Sequence, residues 1–246
     1  MESIGMSPSD LIGTNIVRTD VRQGYAAWAD GYDAQDNPMV AAVERLLDAR
    51  PLPFAGARVL DIGCGTGRIL ARALAHGAAS ATGLDGSAEM LARAATRLEP
   101  AIADGRASLV RAELDGDWTA VPRDFDVAVI TLVLEHHERV APAVSRAARH
   151  LRPDGLLFVA EIHPDMLVAD LGGHFEKAGV TYALPSHPHD RPEFAAALAA
   201  ADFAPPRFEE MRADAATIAA IPKFAKRAGS GVLLALSARR LPRLSP

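Results

Sequence analysis

The run Asp61-Ile62-Gly63-Cys64-Gly65-Thr66-Gly67 places three glycines at alternate positions behind an acid. Glycines so spaced let the backbone turn sharply and approach a ligand closely. The run is not a dinucleotide fingerprint, which requires G-x-G-x-x-G: counted from Gly63 the third glycine falls on Arg68, and from Gly65 on Leu70. A carboxylate beside a pyrophosphate would repel it, so Asp61 favours a ligand that carries positive charge. Asp85 is a second acid, able to accept two hydrogen bonds from a ribose diol as any adenosine-type ligand presents. Histidines form the third group: His136 and His137 between Glu135 and Glu138, then His163, His174, His187 and His189. Imidazole titrates near pH ~6.5, which suits a general base if an acceptor has to lose a proton. His187 and His189 with Asp190 could hold a metal, but their spacing is not that of a recognised site, and no metal is assigned.

The surrounding segments position these groups. Apolar, β-rich runs at 57–62, 80–85, 107–112, 125–133 and 156–162 read as strands. Helical patterns at 67–76, 87–98 and 141–151 fall between them, with Ser87 as a cap and Pro142 in a first turn. Strands and helices alternating in this way imply βαβ units and a parallel sheet. The glycine loop and Asp85 then lie at carboxyl ends of strands, where open α/β sheets bind ligands. Upstream, helices are expected at 21–30 and from Pro38 to Asp48, the latter capped by Asn37. RPDG at 152–155 reads as a turn. Residues 163–191, rich in glycine, proline and histidine, read as an insertion too long for a plain loop. A helix at 192–201 and strands at 206–212 and 231–237 would close an antiparallel edge. The expected fold is therefore a Rossmann-like, doubly wound, mostly parallel seven-stranded sheet in a single domain. Within it, 1–50 form a helical lid, 51–162 the cofactor core, 163–191 a substrate cover and 192–246 the last part of the sheet.

The ordered segments VLDIGCGTGR, TGLDGSAEML, VRAELDGDW, FDVAVITLVLEHHERV and HLRPDGLLFVAEIHP resemble the motif series of class I S-adenosylmethionine (SAM)-dependent methyltransferases, in the small-molecule and ubiquinone-biosynthesis-like branch. The resemblance covers residues 20–162 well and the rest loosely. It implies SAM as cofactor and S-adenosylhomocysteine as product, and it assigns roles by position. Asp61 and Gly63 would line the methionine end, with Gly65 and Gly67 nearby. Asp85 would bind the ribose hydroxyls, and Gly86, Ser87 and Met90 would border the adenine. Glu113 stands where the family usually has Asp near the adenine amino group, with Leu114 beside it. Thr131 and Leu132 would touch the methionine portion through their backbone. GYAAWADGYD resembles the family's Tyr/Trp-containing N-terminal helix, so Tyr25, Trp28 or Tyr32 would close over the cofactor. A plainer reading remains for Met90 as a core residue and for the Tyr25, Trp28, Tyr32 stripe as packing. His136 matches a position where the family often has histidine; His137 departs from the commoner apolar residue. His163, His137 and His136 are the candidate bases. A structural hydrogen bond at the strand end is the competing reading of His136.

Whole-chain composition narrows the partners. Net charge is −5 over 246 residues, and the only gathering of cations, Lys223 to Arg243, is spread along the C-terminal tail. Nucleic acid is therefore not an expected partner. No apolar run approaches the ~20 residues that span a bilayer, and the N-terminus does not read as a signal peptide. Cys64 is the single cysteine and reads as a small apolar filler, consistent with a reducing, cytoplasmic setting. A small, partly apolar acceptor is expected, with Met166, Leu167, Phe175, Tyr182 and His187 of the insertion as pocket residues. Two other readings stay open: a SAM-binding protein that no longer transfers methyl, and an NAD(P)-dependent oxidoreductase, which the glycine spacing disfavours. Oligomeric state is not set by the sequence.

Overall fold

Backbone hydrogen-bonding groups inside an apolar core need partners, and the buried apolar runs of this chain meet that need by pairing edge to edge. The computed structural model describes residues 16–34, 36–168 and 172–242. In chain order it has β1 (Ile16–Arg18), α1 (Val21–Trp28), α2 (Pro38–Ala49), β2 (Arg58–Ile62), α3 (Arg68–Ala75), β3 (Ser80–Asp85), α4 (Ala88–Arg97), α5 (Glu99–Ala103) and β4 (Ala107–Arg111). There follow β5 (Phe125–Thr131), α6 (Ala141–His150), β6 (Leu151–Ile162), α7 (Pro164–Val168), β7 (His174–Lys177) and β8 (Val180–Ala183). The chain continues through α8 (Arg191–Ala200), β9 (Arg207–Arg212), α9 (Ala215–Ala220) and β10 (Gly231–Arg239).

Seven strands form the main sheet in the order β4-β3-β2-β5-β6-β10-β9. The pairs from β4 to β6 are parallel, and β10 runs antiparallel to both β6 and β9, which makes the expected antiparallel edge. Strand order reverses between β2 and β5, and that switch point opens a crevice at the strands' carboxyl ends. Successive side chains alternate between the faces. Leu60, Ile62, Ala128 and Ile130 join one core with α6 and α8; Val59, Val127 and Val129 join the other with α2 and α3. Both faces are covered, which is why these strands read as unbroken apolar runs.

The helix starts follow local chemistry. Asn37 caps α2 by accepting from the Met39 and Val40 amides, Pro38 following at the first turn. Ser87 Oγ accepts from Met90 N at the start of α4.

One expectation changes and another gains detail. The turn at 152–155 lies inside β6, where the register with β5 shifts between Phe125 and Val127. Within the expected cover, 163–191, residues 169–171 lie outside the described residues, and the others pair with neighbouring elements. They make α7 and the hairpin β7–β8, which β1 joins in parallel, Ile16 opposite Thr181, to give a second, three-stranded sheet. That sheet backs α1: Phe175 stacks on Trp28 with ring centroids 4.8 Å apart and on Tyr182 at 5.0 Å. Of the expected N-terminal lid, residues 1–15 lie outside the described residues, as does Arg243 of the C-terminal tail. Among the described residues no helix is long and apolar enough to cross a membrane.

Asn37→Ala removes the cap acceptor of α2 and is expected to destabilise the fold by about 1 kcal/mol, whereas Asn37→Gly costs only a few tenths, read by urea unfolding. Equal losses for the two variants would refute capping as the role of Asn37.

Candidate functional site

β2, β3 and β5 end side by side, and their outgoing loops enclose a cavity of about 390 Å³. A smaller one of about 60 Å³ adjoins it, and Tyr32, Gly63, Gly65, Thr131 and Leu132 face both.

Asp61 occupies the floor. Its residue is 1% exposed, and both carboxylate oxygens are buried with no hydrogen-bond partner among the described residues. Burial, with the Asp85 charge adding to it, pushes the Asp61 carboxyl up to about 8. The fold has thus set an unmet acceptor under the glycine loop, at the wall of the smaller cavity. Asp85 is held differently. Its two oxygens accept from Gly65 N and Ser87 N, each at 2.8 Å, tying the glycine loop to the start of α4. Burial still raises its carboxyl, against the lowering effect of those amides.

The loop geometry explains two glycines. Gly63 has φ of 73°, and a Cβ there would sit 2.4 Å from Val133 Cγ2. Gly65, φ of 51°, faces open space, so its backbone borders the cavity directly. Gly67 is a correction: it lines neither cavity. It caps α3 in a left-handed conformation, and a Cβ would press on Ala94 of α4 and on Leu98 just beyond it.

Gly86, Ser87, Met90, Glu113 and Leu114 line the larger cavity. Ser87 is already engaged, accepting from Met90 N and donating to Glu89, so it offers chiefly a wall. Met90 is 1% exposed and serves as both core and cavity wall. The Glu113 carboxylate lies against Gly86, where a Cβ would stand 2.5 Å from its Oε2. Thr131 and Leu132 leave β5, and Leu132 has φ of 56°. A non-glycine residue held there stores roughly 1–3 kcal/mol of strain, typical of ligand sites. Tyr25 and Tyr32 close the cavity from α1 and the turn after it, whereas Trp28 stacks on the small sheet.

The three candidate bases separate. His136 lines the cavity but is pinned. Its Nδ1 donates to Pro185 O at 2.8 Å, which leaves Nε2 as acceptor for the Tyr25 hydroxyl, also at 2.8 Å. Burial drives the His136 imidazole down to about 4, so it stays neutral. His137 also lines the cavity; it is half-buried, its imidazole is lowered mainly by burial, and no side chain or backbone group among the described residues hydrogen-bonds its ring. His163 is a correction. At the end of β6 the chain turns toward β10, two strands from the crevice. Its ring lies over Gly231, and its Nε2 is 3.6 Å from Glu210.

Beneath the His136–His137 loop lies a buried carboxyl pair. Glu161 accepts from Val133 N (3.1 Å) and Glu135 N (3.4 Å). Burial raises both carboxyls, that of Glu161 to about 7. The amide donors favour charge on Glu161, so Glu135 keeps the proton.

The insertion residues expected in the pocket do not reach it. Met166 joins the main core, Phe175 and Tyr182 stack behind Trp28, and the His187 amide donates to Glu135 O. His189 binds Glu193 through Nδ1 and the Leu134 and His137 carbonyls through Nε2, leaving no nitrogen for a metal. Sequence reasoning missed Asp20, Val21 and Arg22, which line the cavity from the first turn of α1. Arg22 shares a helix face with Tyr25 at i,i+3, a spacing that would have flagged it.

A family model described as a methyltransferase domain matches residues 32–205. The ubiquinone biosynthesis O-methyltransferase of Thiobacillus denitrificans is 34% identical over 154 residues, covering 61% of this chain and 62% of that protein. Its counterpart in Xylella fastidiosa is 33% identical over 176 residues, 69% and 68% of the two chains. The chain spans 46–62% of the length of the first curated relatives it matches. The crystal structure of an S-adenosylmethionine-dependent methyltransferase from Mesorhizobium loti superposes with a TM-score of 0.66 at 28% identity, over 83% of this chain and all of that one. With the family model spanning the glycine loop, Asp85 and the strands that carry them, the chain belongs to the methyltransferase domain family.

Proposed function

We propose that this protein transfers a methyl group from SAM to a hydroxyl of a small, partly apolar acceptor in the cytoplasm. The observation that carries the reading is Asp61, a buried carboxylate with two unmet oxygens beneath a glycine loop. Such a group calls for a cationic partner, and the methionine ammonium of SAM meets that need where a pyrophosphate would not. Asp85 keeps lone pairs for the ribose diol beyond the two amides it accepts from. Gly86, Ser87, Met90, Glu113 and Leu114 would surround the adenine, and Thr131 and Leu132 the methionine chain. When bound, SAM supplies an electrophilic methyl on a sulfonium, open to in-line displacement.

The protein's own work is placement and proton handling. Holding acceptor and methyl group in line supplies much of the rate. Tyr25 and Tyr32 exclude water above the site. His137 is the base we assign: its ring is neutral, borders the cavity and is free to take the proton of an acceptor hydroxyl. His136 instead orients Tyr25. Acceptor oxygen chemistry is also in keeping with the names of the relatives, which are O-methyltransferases.

Calorimetry tests the cofactor. SAM and S-adenosylhomocysteine are expected to bind and NAD not to; Asp85→Ala should weaken binding at least about tenfold, as the loss of hydrogen bonds to a charged group implies. Binding of NAD in preference to SAM would overturn the reading. His137→Gln should lower turnover to S-adenosylhomocysteine by about 10²-fold or more with cofactor affinity unchanged; an unaltered rate would remove His137 as base.

The Asp61 carboxyl gives a pH signature. Its folded-state value of about 8 stands above the ordinary 3.8. The ligand-free fold therefore holds a proton that the unfolded chain releases, and Asp61 costs stability progressively as pH rises from roughly 4 to about 8. Asp61→Asn should remove that part of the slope in urea unfolding. A bound ammonium reverses the preference, so SAM binding near pH 7 should release a proton, seen as a buffer-dependent binding enthalpy that Asp61→Asn abolishes. Equal enthalpies in all buffers for the unaltered protein would show that Asp61 does not meet the cation.

A further inference from the structure

The turn after α1 carries Tyr32, which faces both cavities, and next to it Asp33. Asp33 is joined to the glycine loop by a closed ring of hydrogen bonds. Thr66 Oγ1 donates to Asp33 Oδ1 at 3.0 Å. Arg97 Nη2 of α4 donates to Asp33 Oδ2 at 2.9 Å, and Arg97 Nη1 donates to Thr66 Oγ1 at 2.8 Å and to Thr66 O. Arg68 Nη1 at the start of α3 adds a longer contact to Asp33, 3.7 Å. Three stretches far apart in sequence thus meet on one carboxylate: the turn after α1, the β2–α3 loop and α4.

The other charges near this ring are committed elsewhere. Arg68 and Arg72 are held by Glu44 of α2, each at 2.9 Å, and Arg72 also by Asp48. α2 and α3 are therefore bound to one another independently of the turn that bears Tyr32. Within α1, Trp28 rests on Phe175 and Tyr25 on His136, and both rings also pack against Tyr32, with centroids 5.0 and 6.2 Å away. Arg93 with Asp30 is the one further ion pair of this turn among the described residues, and both its partners are more than half exposed. A pair so exposed contributes little. Thr66, by contrast, is 2% exposed, and the Asp33 and Arg97 side chains are about one-third exposed.

We propose that Asp33 is a positioning residue that clamps the Tyr32 turn onto the glycine loop through Thr66 and Arg97, and so sets the rate at which the cofactor leaves. This rests on the SAM reading above. Thr66 follows Gly65, whose amide is held by Asp85, so the clamp and the Asp85 carboxylate act on adjacent peptide units. Breaking the ring frees Tyr32 from the wall the two cavities share and loosens the loop. Because the ring is partly exposed, salt weakens it.

The test compares the unaltered protein with Asp33→Asn and Asp33→Glu. S-adenosylhomocysteine release is followed by stopped-flow fluorescence of Trp28, which lies 5.0 Å from Tyr32. Asp33→Asn should speed release roughly three- to tenfold, the loss of a partly screened charge-assisted bond. In the unaltered protein release should speed up between roughly 0.05 and 0.5 M salt, and Asp33→Asn should flatten that rise. KM for SAM should rise while KM for the acceptor holds, and Asp33→Glu should restore part of the effect. An unchanged release rate and salt slope would overturn the clamp, as would equal losses in both KM values. Hydrogen exchange of the Gly65 and Thr66 amides in the ligand-free protein supplies a readout that needs no cofactor. Faster exchange in Asp33→Asn supports the clamp even if S-adenosylhomocysteine fails to bind, a failure that would strike the SAM reading alone; unchanged exchange overturns the clamp.

Discussion

The rest of the site is arranged around an acid sealed from water with nothing to bind. Asp61 stands on β2, a central strand of the main sheet, between Leu60 and Ile62, both fully buried. An unmet buried acceptor costs about 1–3 kcal/mol, a cost that a cationic ligand reaching Asp61 would offset. Proton uptake lowers the cost in the ligand-free protein, since the carboxyl is neutral below about pH 8. The glycine loop passes over this acid, Asp85 fixes the loop by one amide, and Leu132 is held at positive φ on the far wall. Each is a local expense that makes sense as preparation for the same ligand.

Charge around the crevice is mostly negative. Asp20, Asp85 and Glu113 line the larger cavity with a single arginine, Arg22, among them. That field favours a cationic cofactor and a neutral acceptor over an anionic one. It also divides two neighbouring histidines. His136 is pinned between Pro185 and Tyr25 and held neutral by burial, so it serves architecture; His137, one residue on, borders the cavity with its ring unengaged. Glu161, gripping the amides of Val133 and Glu135, sets where that loop lies.

Much of this was legible in the residues. β2, β3, β5 and β6 are continuous apolar runs because both sheet faces are covered, and Asn37 and Ser87 announce their helices through bonds made within a few residues. What could not be read depends on distant partners. β1 is three residues long and becomes a strand only because β8 lies beside it. Phe175 and Tyr182 have the composition of a pocket, yet Phe175 stacks on Trp28, almost 150 positions away, and Tyr182 on Phe175, and so they build the support of α1 instead. His163 ends a strand, as ligand-binding residues in such sheets do, but the chain leaves β6 toward β10 rather than toward the crevice.

The sequence by itself determined the kind of ligand. A glycine loop is a backbone feature, and the positions of Asp61 and Asp85 at strand ends follow from apolar runs a few residues long. Short-range constraints suffice for these, so the order of the motifs already implied the fold and the donor. Only the tertiary structure decided which histidine is free, because Tyr25 reaches His136 across 111 positions and Pro185 reaches it across 49. It alone showed that Asp61 is unpartnered and that Asp33 closes on Thr66. Such facts belong to side chains brought together from separate elements, whose distances no local pattern encodes.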